Sequence, residues 1–225
     1  ARYYYRTNGL VNLDKSNMPS YQPEAYQKPG CPIIVDLNGD GLITVEDVDM
    51  KNVIPSLYWG FGNTFTYKNW DLDVFIYSQL GVDKYNDVYS WTSGRGLGNQ
   101  TNNMSVYIKD VWHSELNPNG TIPGIAYEMA SVSLPGGAGT DIGYENSSFV
   151  RVRNITLGYN FKPNQLGALS KLLSGIRVYV DVQNPFTFTG YTGLDPEVNT
   201  GGNYKGGKAE YPQTRTFSLG AKLSF

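Results

Sequence analysis

Apolar and polar residues alternate with a period of two in several separate stretches, which predicts strands with one greasy and one wet face. Over residues 57–67, Leu57, Trp59, Phe61, Phe65 and Tyr67 oppose Tyr58, Gly60, Gly62, Thr64 and Thr66, with Asn63 the one polar interruption of the apolar side. After Lys68-Asn69 the pattern resumes: Trp70, Leu72, Val74 and Ile76 on one face, Asp71, Asp73, Phe75, Tyr77 and Gln79 on the other. This predicts a hairpin with a short loop and two acidic groups on its wet side. Ile176, Val178, Val180 and Val182 alternate against Arg177, Tyr179, Asp181 and Gln183. Over residues 149–161, Val150 and Val152 share one parity, whereas Ile155, Leu157, Tyr159 and Phe161 share the other, so a bulge is expected near Arg153-Asn154. A further strand begins near Tyr211 and carries Phe217, Leu219, Ala221, Leu223 and Phe225 opposite Ser218, Gly220, Lys222 and Ser224. The opening residues to about Thr7 are read as the tail of a sixth strand.

The links between these strands are unequal. Two residues follow Tyr67 and a moderate link covers 162–175, but long excursions occupy 8–56, 80–148 and 189–210. Apolar-out, polar-in strands with short turns at one end and long loops at the other follow the transmembrane barrel pattern, with short turns periplasmic and long loops extracellular. If Phe225 ends at the periplasm, every long excursion falls outside. The bland alternative, a soluble sandwich, also alternates, but its loops need not sort by length. The expected fold is therefore all-β, a transmembrane antiparallel β-barrel portion spanning residues 1–225. Trp59, Tyr67 and Trp70 are assigned to the aromatic girdle on the short-turn side.

Composition narrows the function. The 225 residues include 26 Gly, 18 Tyr, 9 Phe and 4 Trp, with 17% charged residues, favouring strands over helices. No run of eighteen apolar residues is present, so transmembrane helices are excluded, although a barrel is not. A net charge of -2 with Lys and Arg scattered singly gives no basic footprint, so nucleic acid is not an expected partner. Cys31 is the one cysteine and His113 the one histidine, which leaves no disulfide framework, multi-cysteine zinc site or nucleophilic triad. No signal-peptide core opens the chain.

Residues 36–47, Asp-Leu-Asn-Gly-Asp-Gly-Leu-Ile-Thr-Val-Glu-Asp, match the twelve-residue calcium loop position by position. Asp36, Asn38 and Asp40 stand at the first, third and fifth positions. Gly41 permits the sharp turn, Leu42 offers its backbone carbonyl and Thr44 stands at the ninth position, directly or through water. Asp47 replaces the usual closing Glu with a side chain one methylene shorter, as in the dockerin-like loops this stretch resembles. Hard oxygen donors without His or Cys select Ca2+ over zinc or copper. The extended lead-in Cys31-Pro32-Ile33-Ile34-Val35 and the lack of a second loop make this a static brace rather than a sensor.

Several segments together resemble one family: Pro29-Gly30 before the metal loop, Trp59-Gly60-Phe61, Phe149-Val150-Arg151-Val152-Arg153-Asn154-Ile155-Thr156-Leu157-Gly158-Tyr159, Gln183-Asn184-Pro185-Phe186, Asp195-Pro196-Glu197 and Tyr211-Pro212-Gln213-Thr214-Arg215. In order and spacing, over nearly the whole chain, they are similar to the C-terminal third of SusC/RagA-like TonB-dependent outer-membrane transporters. The resemblance implies a 22-stranded plugged barrel, integral to the outer membrane of a Gram-negative cell, importing oligosaccharides or peptides. A SusD-like lipoprotein would cover the extracellular loops, and the TonB complex would act through an N-terminal part absent from this chain. About six strands cannot close such a barrel and would leave edges unpaired in lipid, so a C-terminal fragment is expected. The resemblance also makes Phe225 a candidate signal for outer-membrane assembly.

Two other classes compete. A calcium-braced adhesin or binding module would share the loop chemistry. A secreted glycoside hydrolase would use Asp195 and Glu197, but these sit on one loop without the separation across a sugar ring that hydrolysis needs, and they read as surface acids. The chain is therefore expected not to be an enzyme. Trp91, Tyr107, Trp112, Tyr191 and Tyr204 are loop aromatics suited to stacking on sugars or on the lid protein, although each alone reads as loop packing. No substrate-binding residue is assigned.

Overall fold

The computed structural model describes residues 2–92, 103–124, 134–198 and 211–225. In chain order the strands are β1 (Arg2–Tyr5), β2 (Thr7–Leu10), β3 (Pro32–Ile34), β4 (Val48–Lys51), β5 (Leu57–Tyr67), β6 (Trp70–Leu80), β7 (Asp83–Tyr85), β8 (Gly139–Thr140), β9 (Tyr144–Asn146), β10 (Phe149–Phe161), β11 (Gly175–Thr189) and β12 (Thr216–Ser224). A six-residue helix, α1 (Asp87–Thr92), follows β7.

The five long strands form one antiparallel up-and-down sheet in the order β5-β6-β10-β11-β12. Strands of 9 to 15 residues are long enough to cross a bilayer, which takes about 9–11 tilted residues. Lys68, at φ 56°, turns the β5–β6 hairpin. Register in β10 shifts between Val152 and Asn154, where the parity switch predicted a bulge. Against β6 Arg153 is the extra residue, whereas on its other side two β11 residues stand opposite it, Asn184, at φ 48°, and Pro185, which has no N–H to offer the ladder. Because of this bulge, Val150 and Val152 share the outward face with Ile155 and Leu157.

That outward face has nothing packed on it. Phe61 is 52% exposed, Phe188 63% and Leu219 78%. Phe149 is the one hydrophobic residue of the five strands that is buried. The apolar core lies instead among the excursions, where Tyr5, Tyr26, Cys31, Ile34 and Leu134 cluster against Ala25, Ile43, Val48 and Ala138. A water-soluble sheet of this size would reverse the arrangement, burying its apolar face and wetting its loops.

Two expectations are corrected. The opening segment is not a sixth wall strand: β1 pairs antiparallel with β4 and parallel with β8 in a separate three-stranded sheet. Tyr4 and Tyr5 are both buried there, and Tyr5 donates its hydroxyl to the carbonyls of Thr44 and Pro135 at 2.8 and 2.9 Å. Trp59 does not join Tyr67 and Trp70. Those two face each other across the turn, whereas Trp59 pairs with Ser78 at the far end of the hairpin, about 26 Å away at 3.3 Å per residue. The turn-side aromatic belt holds Tyr67 with Trp70, Tyr159 and Phe161, the last three with ring centroids 4.8 and 4.7 Å apart in successive pairs.

Candidate functional site: the polar wall face and the loop latch

The inward face carries a network of charged and polar groups. Arg177 on β11 pairs with Asp71 on β6, reaching over β10, and Asn160 of β10 donates to the same carboxylate at 2.5 Å. Thr64 donates to Asp73 at 2.5 Å, and Asp181 accepts from Thr156 at 2.6 Å and from Asn154. The two acidic groups expected on the wet side of the hairpin, Asp71 and Asp73, are there, each with a partner. Inward glycines make room for their neighbours. A β-carbon on Gly158 would lie 2.5 Å from the Asp71 carboxylate, and one on Gly220 would lie 2.4 Å from the Tyr179 ring. Bulky inward side chains thus lie flat along the sheet, with Arg177 stacked 5.0 Å above the Tyr179 ring.

Above this face β10 anchors the third excursion. The Arg151 side chain is only 2% exposed. Its guanidinium donates to Asp195 at 2.9 Å, to Glu197 at 2.5 Å and to the Thr187 hydroxyl at 2.9 Å. Arg153, the bulge residue, grips Glu197 through both carboxylate oxygens at 3.0 and 2.9 Å. Asp195 also accepts the backbone N–H groups of Glu197 and Gln213 at 2.8 and 2.9 Å. Burial pushes the Asp195 pKa up, but those two N–H groups and Arg151 outweigh it and hold the carboxyl below its ordinary value. Asp195 and Glu197 are therefore latch residues rather than the surface acids their sequence context predicts. A glycosidase general acid needs a raised pKa, the opposite of the Asp195 shift.

The second excursion grips the same segment. Lys84 of β7 donates to the carbonyls of Pro196 and Val198, the latter at 3.0 Å. Glu145 of β9 accepts from the Thr192 N–H and hydroxyl, each at 2.8 Å, and Asn86 bridges Glu145 and Thr192. No local sequence signal marks this latch, because an arginine on the wet parity of β10 needs no partner in water.

In the calcium-type loop, the Asp36 carboxylate accepts N–H groups from Gly39 and Gly41 at 2.7 and 2.8 Å. Asn38 accepts from Asp40, and Asp40 from Leu42, at 3.0 and 2.8 Å. Gly39 and Gly41 adopt φ of 78° and 82°, left-handed values that bend the loop around these oxygens. Asp47, fully buried, folds back against the Asp36 carboxyl group and caps Leu37 and Thr44 through their N–H groups at 2.9 and 2.8 Å. The Thr44 hydroxyl accepts from the Glu46 N–H at 3.1 Å, while Leu42 is 62% exposed. Asp36 and Asp47 thus meet, and the Asn38 amide donates to Asp40 at 3.1 Å. Among the described residues, no three acidic, His or Cys side chains converge on one point. The donor set is one of oxygens from carboxylate, amide, hydroxyl and backbone groups, chemistry that suits Ca2+.

The loop aromatics divide. The Trp112 ring packs against Gly30 and Gly124, where added β-carbons would lie 2.3 and 3.1 Å from it, and Tyr191 is buried over Gly193. Both are packing residues. Tyr107 stays 38% exposed with its ring edge-to-face with Tyr89 at 5.5 Å. Tyr204 and the Trp91 side chain lie outside the described residues. Phe225 stands at the turn end of β12, 83% exposed.

No family model matches the chain. Its sequence is 33% identical over 208 residues to the TonB-dependent receptor SusC of Bacteroides thetaiotaomicron, covering 90% of this chain and 19% of SusC. It is 31% identical over 206 residues to TonB-dependent receptor P3 of Formosa agariphila, covering 88% of this chain and 19% of the relative. The chain thus spans about one fifth of the length of these relatives. Its fold matches the RagAB peptide importer in the closed-closed state with a TM-score of 0.68 at 22% identity, over 99% of this chain and 23% of the matched one. Sequence kinship along nine-tenths of the chain and a shared strand architecture agree: the chain belongs to the SusC/RagA-like TonB-dependent receptors, as a segment of their barrel.

Proposed function

We propose that this chain supplies part of the wall and part of the extracellular rim of an outer-membrane importer that takes up oligosaccharides or peptides with energy from TonB. The observation that carries the reading is the division of the wall into an exposed apolar face and an inward face of paired charges, hydroxyls and glycines. The first face needs lipid and the second needs water. TonB would engage a part of the receptor outside this chain. A SusD-like lipoprotein would sit on the rim formed by the three excursions, which the latch and the buried loop core hold as a firm platform. Ca2+ bound by Asp36, Asn38, Asp40, the Leu42 carbonyl, Thr44 and Asp47 would brace the first excursion.

Uptake by cells that express the full-length receptor tests this reading. A strain lacking the receptor should lose growth on a subset of glycans or peptides, and a strain lacking TonB should lose the same subset. Undiminished growth of the receptor deletion on every such source would sink the proposal.

A further inference from the structure

A cavity of about 480 Å³ lies where the three excursions meet, with Leu10 from the first, Tyr89, Tyr107 and Tyr144 from the second and Thr192 from the third on its walls. Its size falls within the usual range for small-molecule sites, about 300–1,000 Å³. Three phenol rings share it with two carboxylates, Asp141 and Glu145, and no lysine or arginine lines it among the described residues.

Both carboxylates are fixed by neutral donors. Thr7 donates its hydroxyl to Asp141 at 2.6 Å, and Thr192 and Asn86 hold Glu145. Asn86 and the Thr192 N–H and hydroxyl occupy both oxygens of Glu145, whereas the second oxygen of Asp141 keeps acceptor capacity for a ligand hydroxyl. The rings are positioned as well: Tyr144 sits edge-on to Tyr85 at 5.2 Å, and Tyr89 to Tyr107 at 5.5 Å. Flat apolar rings beside pre-set acceptors match the C–H faces and hydroxyl edges of a sugar. The same carboxylates, with no cation on the cavity wall, repel uronic acids and peptide C-termini.

We infer that this cavity is a recognition site for a short neutral oligosaccharide, an assignment that rests on the importer reading and narrows its substrate. Tyr107 lines the cavity, stays partly exposed and supplies the principal stacking surface.

The test is calorimetric titration of the full-length receptor in detergent with four probes: maltohexaose, cellohexaose, hexagalacturonate and a lysine-rich hexapeptide. At least one neutral hexaose should bind and hexagalacturonate should not. Tyr107→Ala should weaken binding roughly two- to tenfold, the measure of one aromatic contact. Tyr107→Leu, which keeps apolar bulk but loses the flat ring, should do the same, while Tyr211→Ala, at an exposed ring outside the cavity, should leave affinity unchanged. Binding of hexagalacturonate, tighter binding of the peptide than of either neutral probe, no binding of either neutral probe, or neutral-probe binding indifferent to both Tyr107 variants would each overturn the assignment. TonB-dependent growth of the same strains reports on the importer reading separately, since that reading stands or falls whatever this cavity binds.

Discussion

Arg151 and Asp195 lie 44 residues apart in sequence and 2.9 Å apart in space, with side chains 2% and 5% exposed. Through this pair the barrel wall holds its third excursion. Removing the cation would leave Asp195 buried and Glu197 with Arg153 alone, an imbalance of about 3–5 kcal/mol by comparison with other broken buried pairs. Arg151→Met in the full-length receptor is expected to lower the unfolding midpoint and to speed amide exchange over residues 190–198. Unchanged exchange there would remove the latch from the account.

The same pair sets a pH dependence. The Asp195 pKa is depressed in the folded state from 3.8, so its stabilising contribution is fully present above that value and fades as pH falls through the lower folded value. Exchange protection of residues 190–198 should therefore hold from neutral pH down to about pH 4 and decline only below it. Asp195→Asn should abolish that acid-dependent step. Loss of protection already between pH 6 and 5 would point to a different group.

The latch was largely illegible in the sequence. Asp195-Pro196-Glu197 looks like any polar loop, and nothing local announces an arginine on a strand 44 residues earlier. The wall, by contrast, could be read directly, because a half-solvated strand must alternate and a one-residue bulge at Arg153 leaves a visible change of parity. Misreadings arose where alternation was mistaken for position. Arg2-Tyr3-Tyr4-Tyr5 has strand composition but pairs within the excursions, and Trp59 has girdle chemistry at the opposite rim. The sharp turn at Gly41, at φ 82°, was legible because the spacing within the 36–47 loop is local.

Inward glycines should be intolerant where a neighbour lies flat over them. Gly158→Ala would set a β-carbon 2.5 Å from Asp71 and 2.7 Å from Arg177, forcing that ion pair to shift, and overpacking of this kind costs about 1–3 kcal/mol. Gly190, with open space around it, should accept alanine without penalty. Equal unfolding midpoints for the two variants would contradict the packing described for the inward face.

Calcium should stabilise the first excursion. At free Ca2+ one hundred times its dissociation constant, a site that exists only in the folded loop adds about 2.7 kcal/mol. Differential scanning fluorimetry of the full-length receptor should show a higher melting temperature with Ca2+ than with chelator, and Asp36→Ala should erase the difference. Identical melting in both conditions would remove the metal from the account.

The central claim is that the two faces of the five-stranded sheet meet lipid and water respectively, and neighbouring positions on β12 test it most directly. Single-cysteine variants Ser218→Cys and Leu219→Cys, in a cysteine-free background of the full-length receptor that includes Cys31→Ser, in native outer membranes, would be treated with a membrane-impermeant maleimide and, separately, with nitroxide-bearing lipids after fluorophore attachment. Position 218 should react with the aqueous reagent and escape lipid quenching, while position 219 should resist the reagent and be quenched. Equal aqueous labelling of both positions, with no lipid quenching at 219, would contradict the barrel wall.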